Sequence, residues 1–209
     1  MKTLVEAPKG ARACYVMAHG AGAGMTHPFL ASVAKALAAR GIATVRYNFP
    51  YMDRGSKRPD TPKVAQAAVR EAVAEAAKAL PKLALFAGGK SFGGRMTSQA
   101  QAAGPLPGVR GLVFLGFPLH APGNPSDERG AHLFDVKVPM LFLQGTRDDF
   151  AKMELLKPLV KKLEPRATLA TFDDADHSFH VPARTGRTDE EVRAAMLDAM
   201  AAWIDQQLR

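Results

Sequence analysis

The chain has 209 residues, of which 47% are hydrophobic and 23% are charged, a balance typical of a folded protein rather than a disordered one. No apolar run is long enough to span a membrane, and the first residues lack the apolar core of a secretory signal. We therefore expect a cytoplasmic protein with no membrane partner. The formal charge of +8 invites a nucleic-acid interpretation, but the basic residues are mostly scattered, so no nucleic-acid partner is predicted. The single cysteine, Cys14, cannot form an internal disulfide, which fits a reducing compartment.

The first half of the chain alternates apolar runs with helical patterns. A strand is predicted over 11–18, followed by a glycine-rich loop over 19–24 and a helix with apolar residues at helical spacing. A second strand is predicted over 42–47, then a proline-rich loop and a helix that begins at Thr61-Pro62. This repetition of strand, loop and helix predicts parallel strands joined by helices.

The second half continues the alternation and leaves no room for a lid domain, because only about twenty residues separate the fourth and fifth strands. We predict an α/β fold of one domain, residues 1–209: a doubly wound, mostly parallel sheet with helices on both faces. The elements predicted here are a strand around 83–86 and a turn over 88–91, a helix from Phe92, strands over 109–117, 138–144 and 167–172, a helix over 150–163 that Pro158 interrupts, and a final helix over 188–208 that begins with a capping box.

The third predicted strand ends in a motif that places a nucleophile. Gly89-Lys90-Ser91-Phe92-Gly93 matches the G-x-S-x-G elbow, in which a sharp strand-to-helix turn exposes a serine hydroxyl above the sheet. The two glycines are expected because side chains there would collide with the neighbouring strand and helix. Ser91 is therefore the candidate nucleophile. Lys90 receives no role and is expected to be packed or solvent-facing.

A serine nucleophile requires a base, and the base requires an acid that orients it. In this kind of fold the three follow in the order serine, acid, histidine. Asp148 lies just after the fifth predicted strand and is our candidate acid, with Asp149 as the alternative. Two histidines follow the sixth strand, and we choose His177 as the base over His180 because it is closer to the strand end.

The transition state also needs two hydrogen-bond donors for the oxyanion. One is the backbone N–H after the nucleophile, here Phe92, and the other comes from the loop after the first predicted strand. We assign the second donor to Ala21, with Gly22 as the alternative. His19 is expected to hold this loop by hydrogen bonding rather than to react.

Two other chemistries fit parts of the sequence. Ala84-x-x-x-x-Gly89-Lys90-Ser91 resembles a phosphate-binding loop, but alanine replaces its first glycine and the fourth strand has no terminal aspartate for a metal. The acidic and histidine residues of 173–180 could ligate a metal, although their spacing fits no specific site. No cofactor and no metal are predicted.

Several segments together resemble the α/β-hydrolase superfamily along nearly the whole chain, and within it the small dienelactone-hydrolase-like branch. The similarity is greatest to a bacterial group related to the testis-expressed hydrolase-like protein and to the hydrolase-like domain of a histone-acetyltransferase (NSL) complex subunit. The resemblance implies a nucleophile at Ser91, an acid at Asp148 and a base at His177. Dienelactone hydrolases use a cysteine nucleophile, so the serine argues against their substrate. The segments are AHGAGAGMTHPF, RYNFPYMDRGSKRPD, GGKSFGGRMTS, LQGTRDDF and DADHSF.

These residues predict a serine hydrolase that acts on a small-molecule carboxylic ester or a related acyl bond. Arg54, Lys57 and Arg58 lie close together on a loop expected to border the site, which predicts an anionic acyl or leaving group. The alternative is a solvated loop with no part in binding. The alternative is a catalytically silent protein that keeps the fold for binding, since relatives serve in protein complexes. The sequence leaves the oligomeric state open.

Overall fold

Seven strands form one sheet in the computed structural model, which describes residues 1–209. They are β1 (Thr3–Glu6), β2 (Ala13–Ala18), β3 (Ile42–Tyr47), β4 (Ala84–Lys90), β5 (Val109–Leu115), β6 (Met140–Gly145) and β7 (Ala167–Phe172). Their order in the sheet is β1-β3-β2-β4-β5-β6-β7. β1 pairs antiparallel with β3, and every other pairing is parallel. The predicted mostly parallel α/β sheet is confirmed.

Six α-helices accompany the sheet, and each face of the sheet has its own apolar core. α1 and α6 cover one face, whereas α3, α4 and α5 cover the other. The central strands β2 and β3 are buried along their whole length, as expected for strands covered on both sides. The helices are α1 (Pro28–Ala38), α2 (Pro50–Asp53), α3 (Pro62–Ala79), α4 (Phe92–Ala103), α5 (Met153–Lys162) and α6 (Asp189–Leu208), with 3₁₀-helices over Glu128–Asp135 and Ala183–Thr185.

Three details differ from the sequence prediction. β1 was not predicted, because it is only four residues long and is held through its backbone pairing to β3. β4 continues to Lys90, so the predicted turn over 88–91 is confined to Ser91. Pro158 does not interrupt α5, because it lies on the exposed side, where water can hydrogen-bond the carbonyl that the proline leaves free. The capping box at Thr188 and Glu191 is present.

The strand order brings the candidate site residues to one edge of the sheet. β4 lies between β2 and β5, and the loops after β2, β4, β6 and β7 all leave from the carboxyl ends of parallel strands. The connection between β5 and β6 contains one 3₁₀-helix and no lid domain. None of the helices combines the length and apolar character needed to cross a membrane.

Candidate active site

Ser91 occupies a strained turn between β4 and α4. Its backbone has φ 49° and ψ −115°, a region that residues with a side chain rarely adopt. The end of β2 approaches the elbow closely. A methyl group on Gly89 would lie 2.2 Å from the Ala18 carbonyl oxygen, and a methyl group on Gly93 would lie 2.6 Å from the His19 carbonyl oxygen. The two glycines of the motif therefore allow the tight contact that holds the serine above the sheet.

A continuous line of hydrogen bonds joins the three candidate catalytic side chains. Ser91 Oγ lies 2.8 Å from His177 Nε2, and His177 Nδ1 lies 2.7 Å from Asp148 Oδ2. Asp148 is buried and accepts two further hydrogen bonds, from Gln144 Nε2 at 2.5 Å and from the Phe150 N–H at 2.7 Å. These contacts fix the orientation of the buried carboxylate, which suits it to orient the imidazole.

The alternatives for the acid and the base lie elsewhere. The Asp149 side chain is 74% exposed and forms an ion pair with Lys152. His180 is exposed, and its Nδ1 lies 2.9 Å from Asp189 Oδ2. It therefore pairs with a surface carboxylate and not with Ser91 or Asp148. The structure therefore brings Ser91, His177 and Asp148 together and leaves both alternatives on the surface.

The two predicted oxyanion donors are free of acceptors within the chain. Neither the Ala21 N–H nor the Phe92 N–H donates to another protein group, whereas the Gly22 N–H donates to the Tyr51 hydroxyl at 3.1 Å. Of the two positions considered in this loop, Ala21 alone has an available donor. It lines the same cavity as Ser91.

His19 fastens the loop that carries Ala21. Its Nδ1 lies 2.8 Å from the Gly20 carbonyl oxygen, and its Nε2 accepts a hydrogen bond from the Phe49 N–H at 3.0 Å. Burial lowers the pKa of His19, so the neutral ring that this pairing requires is favoured. These contacts match the structural role expected for His19.

The cavity beside Ser91 has a volume of about 370 Å³ and mostly apolar walls. Phe150 contributes a wall that the sequence analysis missed: its ring lies 4.3 Å from that of His177, with 31° between the planes. The prediction had placed Phe150 in a helix, but α5 begins only at Met153. No carboxylate lines the cavity. Besides Ser91, His177 and Phe150, its walls are formed by Gly20, Ala21, Ala23, His27, Phe29, Leu30, Lys90 and Ser178.

The basic loop lies outside this cavity. Arg54 forms an ion pair with Asp60 at 2.6 Å, while Lys57 and Arg58 are exposed. None of the three basic side chains lines the cavity. An influence on a substrate would therefore act at longer range, through the field at the entrance.

Neither the phosphate-loop nor the metal interpretation matches the structure. Residues Ala84–Lys90 form a regular strand, so no open loop is available to surround a phosphate. In the acidic stretch, Asp174 pairs with Arg184, and Asp176 accepts hydrogen bonds within its own turn. No three histidine, cysteine or acidic side chains are grouped as a metal site requires.

A second serine–histidine pair, which the sequence analysis did not find, lies away from the cavity. Ser98 Oγ on α4 lies 2.7 Å from His132 Nε2, and Ser98 is completely buried. Burial, together with the charge of Arg95, lowers the pKa of His132 to about 4. This pair fastens the 3₁₀-helix between β5 and β6 to α4. No sequence pattern distinguishes it, because Ser98 and His132 stand at ordinary helical positions.

Comparisons with known proteins agree on one family and one fold. The family model described as "Alpha/beta hydrolase domain" matches residues 11–205. An α/β serine hydrolase homologue from Coxiella burnetii is 22% identical, with a TM-score of 0.75 over 94% of this chain and 90% of that one. A serine hydrolase without a lid from Xanthomonas campestris is 23% identical, with a TM-score of 0.74 over 96% and 88%. A dienelactone hydrolase from Anabaena variabilis is 20% identical, with a TM-score of 0.78 over 98% and 90%.

Proposed function

The chain belongs to the α/β-hydrolase domain family, and from that premise we propose that it is a serine hydrolase with Ser91, His177 and Asp148 as its catalytic triad. The bond it cleaves is a carboxylic ester or a similarly activated acyl bond. The observation that carries the proposal is the unbroken hydrogen-bonded line from Ser91 Oγ through His177 to Asp148 Oδ2, with distances of 2.8 and 2.7 Å, beside an accessible cavity.

The proposed reaction uses this line of hydrogen bonds to move one proton between Ser91, His177 and the leaving group. His177 Nε2 accepts the hydroxyl proton of Ser91 as Oγ bonds to the carbonyl carbon, and the oxyanion accepts hydrogen bonds from the backbone N–H groups of Phe92 and Ala21. His177 then donates its proton to the departing alkoxide as the ester C–O bond breaks, which leaves an acyl-Ser91. Water gives a proton to His177 and attacks the acyl carbon. The bond between the acyl carbon and Ser91 Oγ then breaks, and His177 returns the proton to Oγ as the acid is released. Asp148 keeps Nδ1 protonated and stabilises the imidazolium in both halves of the reaction.

The cavity supports a small acyl group with an apolar part. Its volume of about 370 Å³ lies at the lower end of the range for small-molecule sites, and Phe29, Leu30 and Phe150 supply apolar surface. The absence of a lid leaves the entrance open to solvent, which favours a dissolved ester over a lipid aggregate. The basic loop adds the proposal that a negative charge on the substrate is tolerated at the entrance.

A fluorophosphonate probe tests the proposal, because it phosphonylates only a serine that an adjacent base activates. The wild-type protein should be labelled at Ser91, as located by peptide mass spectrometry. Ser91→Ala should abolish labelling, and His177→Ala should reduce it by at least 10³-fold by the usual cost of losing a triad member.

Ser98→Ala is the matched control, since Ser98 also has a histidine partner but is buried. It should leave labelling at the wild-type rate. A folded wild-type protein that is not labelled at neutral pH would contradict the proposal and favour a catalytically silent binding protein. Unlabelled wild-type protein should then be assayed with nitrophenyl esters of increasing acyl length to define the substrate class.

A further inference from the structure

The Lys90 ammonium contacts the loop that carries the candidate base. Lys90 is the last residue of β4 and directly precedes Ser91. Its Nζ donates a hydrogen bond to the His177 carbonyl oxygen at 2.6 Å. No backbone N–H donates to that oxygen, so Lys90 is its sole hydrogen-bond partner within the chain. One side chain thus joins the strand of the nucleophile to the loop of the base.

The same ammonium lies near the hydrogen bond between His177 and Asp148. A methyl group on Gly116 would lie 3.1 Å from Lys90 Nζ and 3.4 Å from His177 Nδ1. The two nitrogens therefore flank one small space that a glycine leaves open. Phe179 borders it as well, with its ring centroid 5.9 Å from Nζ.

The loop after β7 is bent sharply, and its first residues are held by the segment after β6: the Asp174 N–H donates to Thr146 Oγ1 and the Arg147 N–H donates to the Ala175 carbonyl oxygen, both at 2.9 Å. Asp174 and Phe179 have φ angles of 58° and 62°, and the Asp176 carboxylate accepts hydrogen bonds from Ser178 and His180 at 2.7 and 3.0 Å. These bonds shape the loop within itself. The Lys90 contact instead fixes the height of the His177 backbone relative to Ser91.

An ammonium in this position has a desolvation cost that a neutral side chain would avoid. Burial lowers the pKa of Lys90 to about 8, although the Asp148 and Asp176 carboxylates favour its charged form. A methionine of similar length would fill the space without this cost. The ammonium therefore contributes something that packing alone does not.

We propose that Lys90 is a positioning residue for the hydrolysis, an inference that rests on the function proposed above. Its ammonium holds the His177 carbonyl so that the imidazole stays between Ser91 and Asp148. The charged and titratable groups around it are Asp148 after β6, Asp176 and His177 after β7, and His27 on the cavity wall before α1.

Lys90→Met tests the role of the ammonium with little change in volume. We expect kcat for a nitrophenyl ester to fall about 10- to 100-fold, the cost of a displaced catalytic group, with KM within twofold of wild type.

Chemical rescue separates the ammonium from packing and from misfolding. Lys90→Cys can be alkylated with 2-bromoethylamine, whose bromide the thiolate displaces to leave a thioether with an ammonium at the length of lysine. The native Cys14 is completely buried and its thiol pKa is raised by burial to about 12, so it is protected from the reagent. Alkylation should raise kcat of this variant at least tenfold.

The possible outcomes are distinct. A Lys90→Met variant with kcat within twofold of wild type overturns the proposal, as does alkylation that restores no activity to Lys90→Cys. If the wild-type protein is not labelled by fluorophosphonate, the proposed function fails first. The NMR resonance of the His177 Nδ1–H then tests the role of Lys90 independently of turnover. If Lys90 positions His177, this resonance should shift in Lys90→Met and Lys90→Cys and return on alkylation of Lys90→Cys. An unchanged resonance refutes the positioning role.

Discussion

The backbone strain at Ser91 predicts an unusual order of stability between two inactive variants. Ser91→Ala keeps a side chain at φ 49° and ψ −115°, whereas Ser91→Gly removes it and makes this region accessible. Both variants lose the hydroxyl and its hydrogen bond to His177, so the comparison isolates the backbone.

The size of the difference follows from two opposing contributions. Strain of this kind costs about 1–3 kcal/mol. Glycine loses more conformational freedom on folding than alanine, which offsets about 0.4–1 kcal/mol. We therefore expect Ser91→Gly to be more stable than Ser91→Ala by about 1 kcal/mol, equivalent to about 2–4 °C in Tm for a chain of this size.

Urea unfolding and calorimetry of both variants measure this difference. Ser32 supplies the matched control, because it is exposed within α1 in ordinary helical geometry. There glycine should be the less stable substitution, by about 1 kcal/mol. If glycine is less stable than alanine at Ser91 as well, the turn stores no strain and the reasoning is refuted.

Three further predictions address the acid, the segment after β5 and the basic loop. Asp148→Asn should lower kcat/KM for an activated ester by about 10³–10⁴-fold, whereas Asp149→Asn should stay within a few fold; equal losses would contradict the assignment. Burial lowers the pKa of His132 to about 4 in the folded protein, whereas a histidine in the unfolded chain has a pKa of about 6.5. Because the unfolded state is thus protonated at higher pH, the free energy of unfolding should fall as the pH drops from about 6.5 to 4. This loss of unfolding free energy amounts to about 1–2 kcal/mol once it is discounted for the partial exposure of His132. Urea unfolding at pH 7 and 4.5 should show a pH dependence that is smaller by this amount in His132→Gln than in wild type. An equal pH dependence in the two proteins would refute the prediction. Neutralising Lys57 and Arg58 should lower kcat/KM for an anionic ester about two- to fivefold relative to a neutral analogue, and an unchanged ratio would exclude a role for the loop.

Local patterns in the chain were sufficient for most of the fold. Apolar runs and helical spacing identified six of the seven strands and all the long helices, because burial on both faces of a parallel sheet imposes these patterns on the sequence. β1 was missed because a short strand with a half-exposed pattern depends on its partner. The boundary of β4 was missed because glycines that read as a turn belong to the strand.

The sequence by itself determined the elbow at Ser91 and the order of nucleophile, acid and base, because these depend on a local turn and on which residues follow which strand. Only the tertiary structure decided which neighbours these residues have. Ser91 and Lys90 meet His177 across 86 and 87 residues, respectively, and these distances close only once β4 to β7 lie side by side. The Gly22 N–H is likewise taken by Tyr51 from another loop, which leaves Ala21 as the available donor. These contacts depend on the order of the strands in the sheet, because that order brings the loops at their carboxyl ends together. No local sequence pattern contains this information.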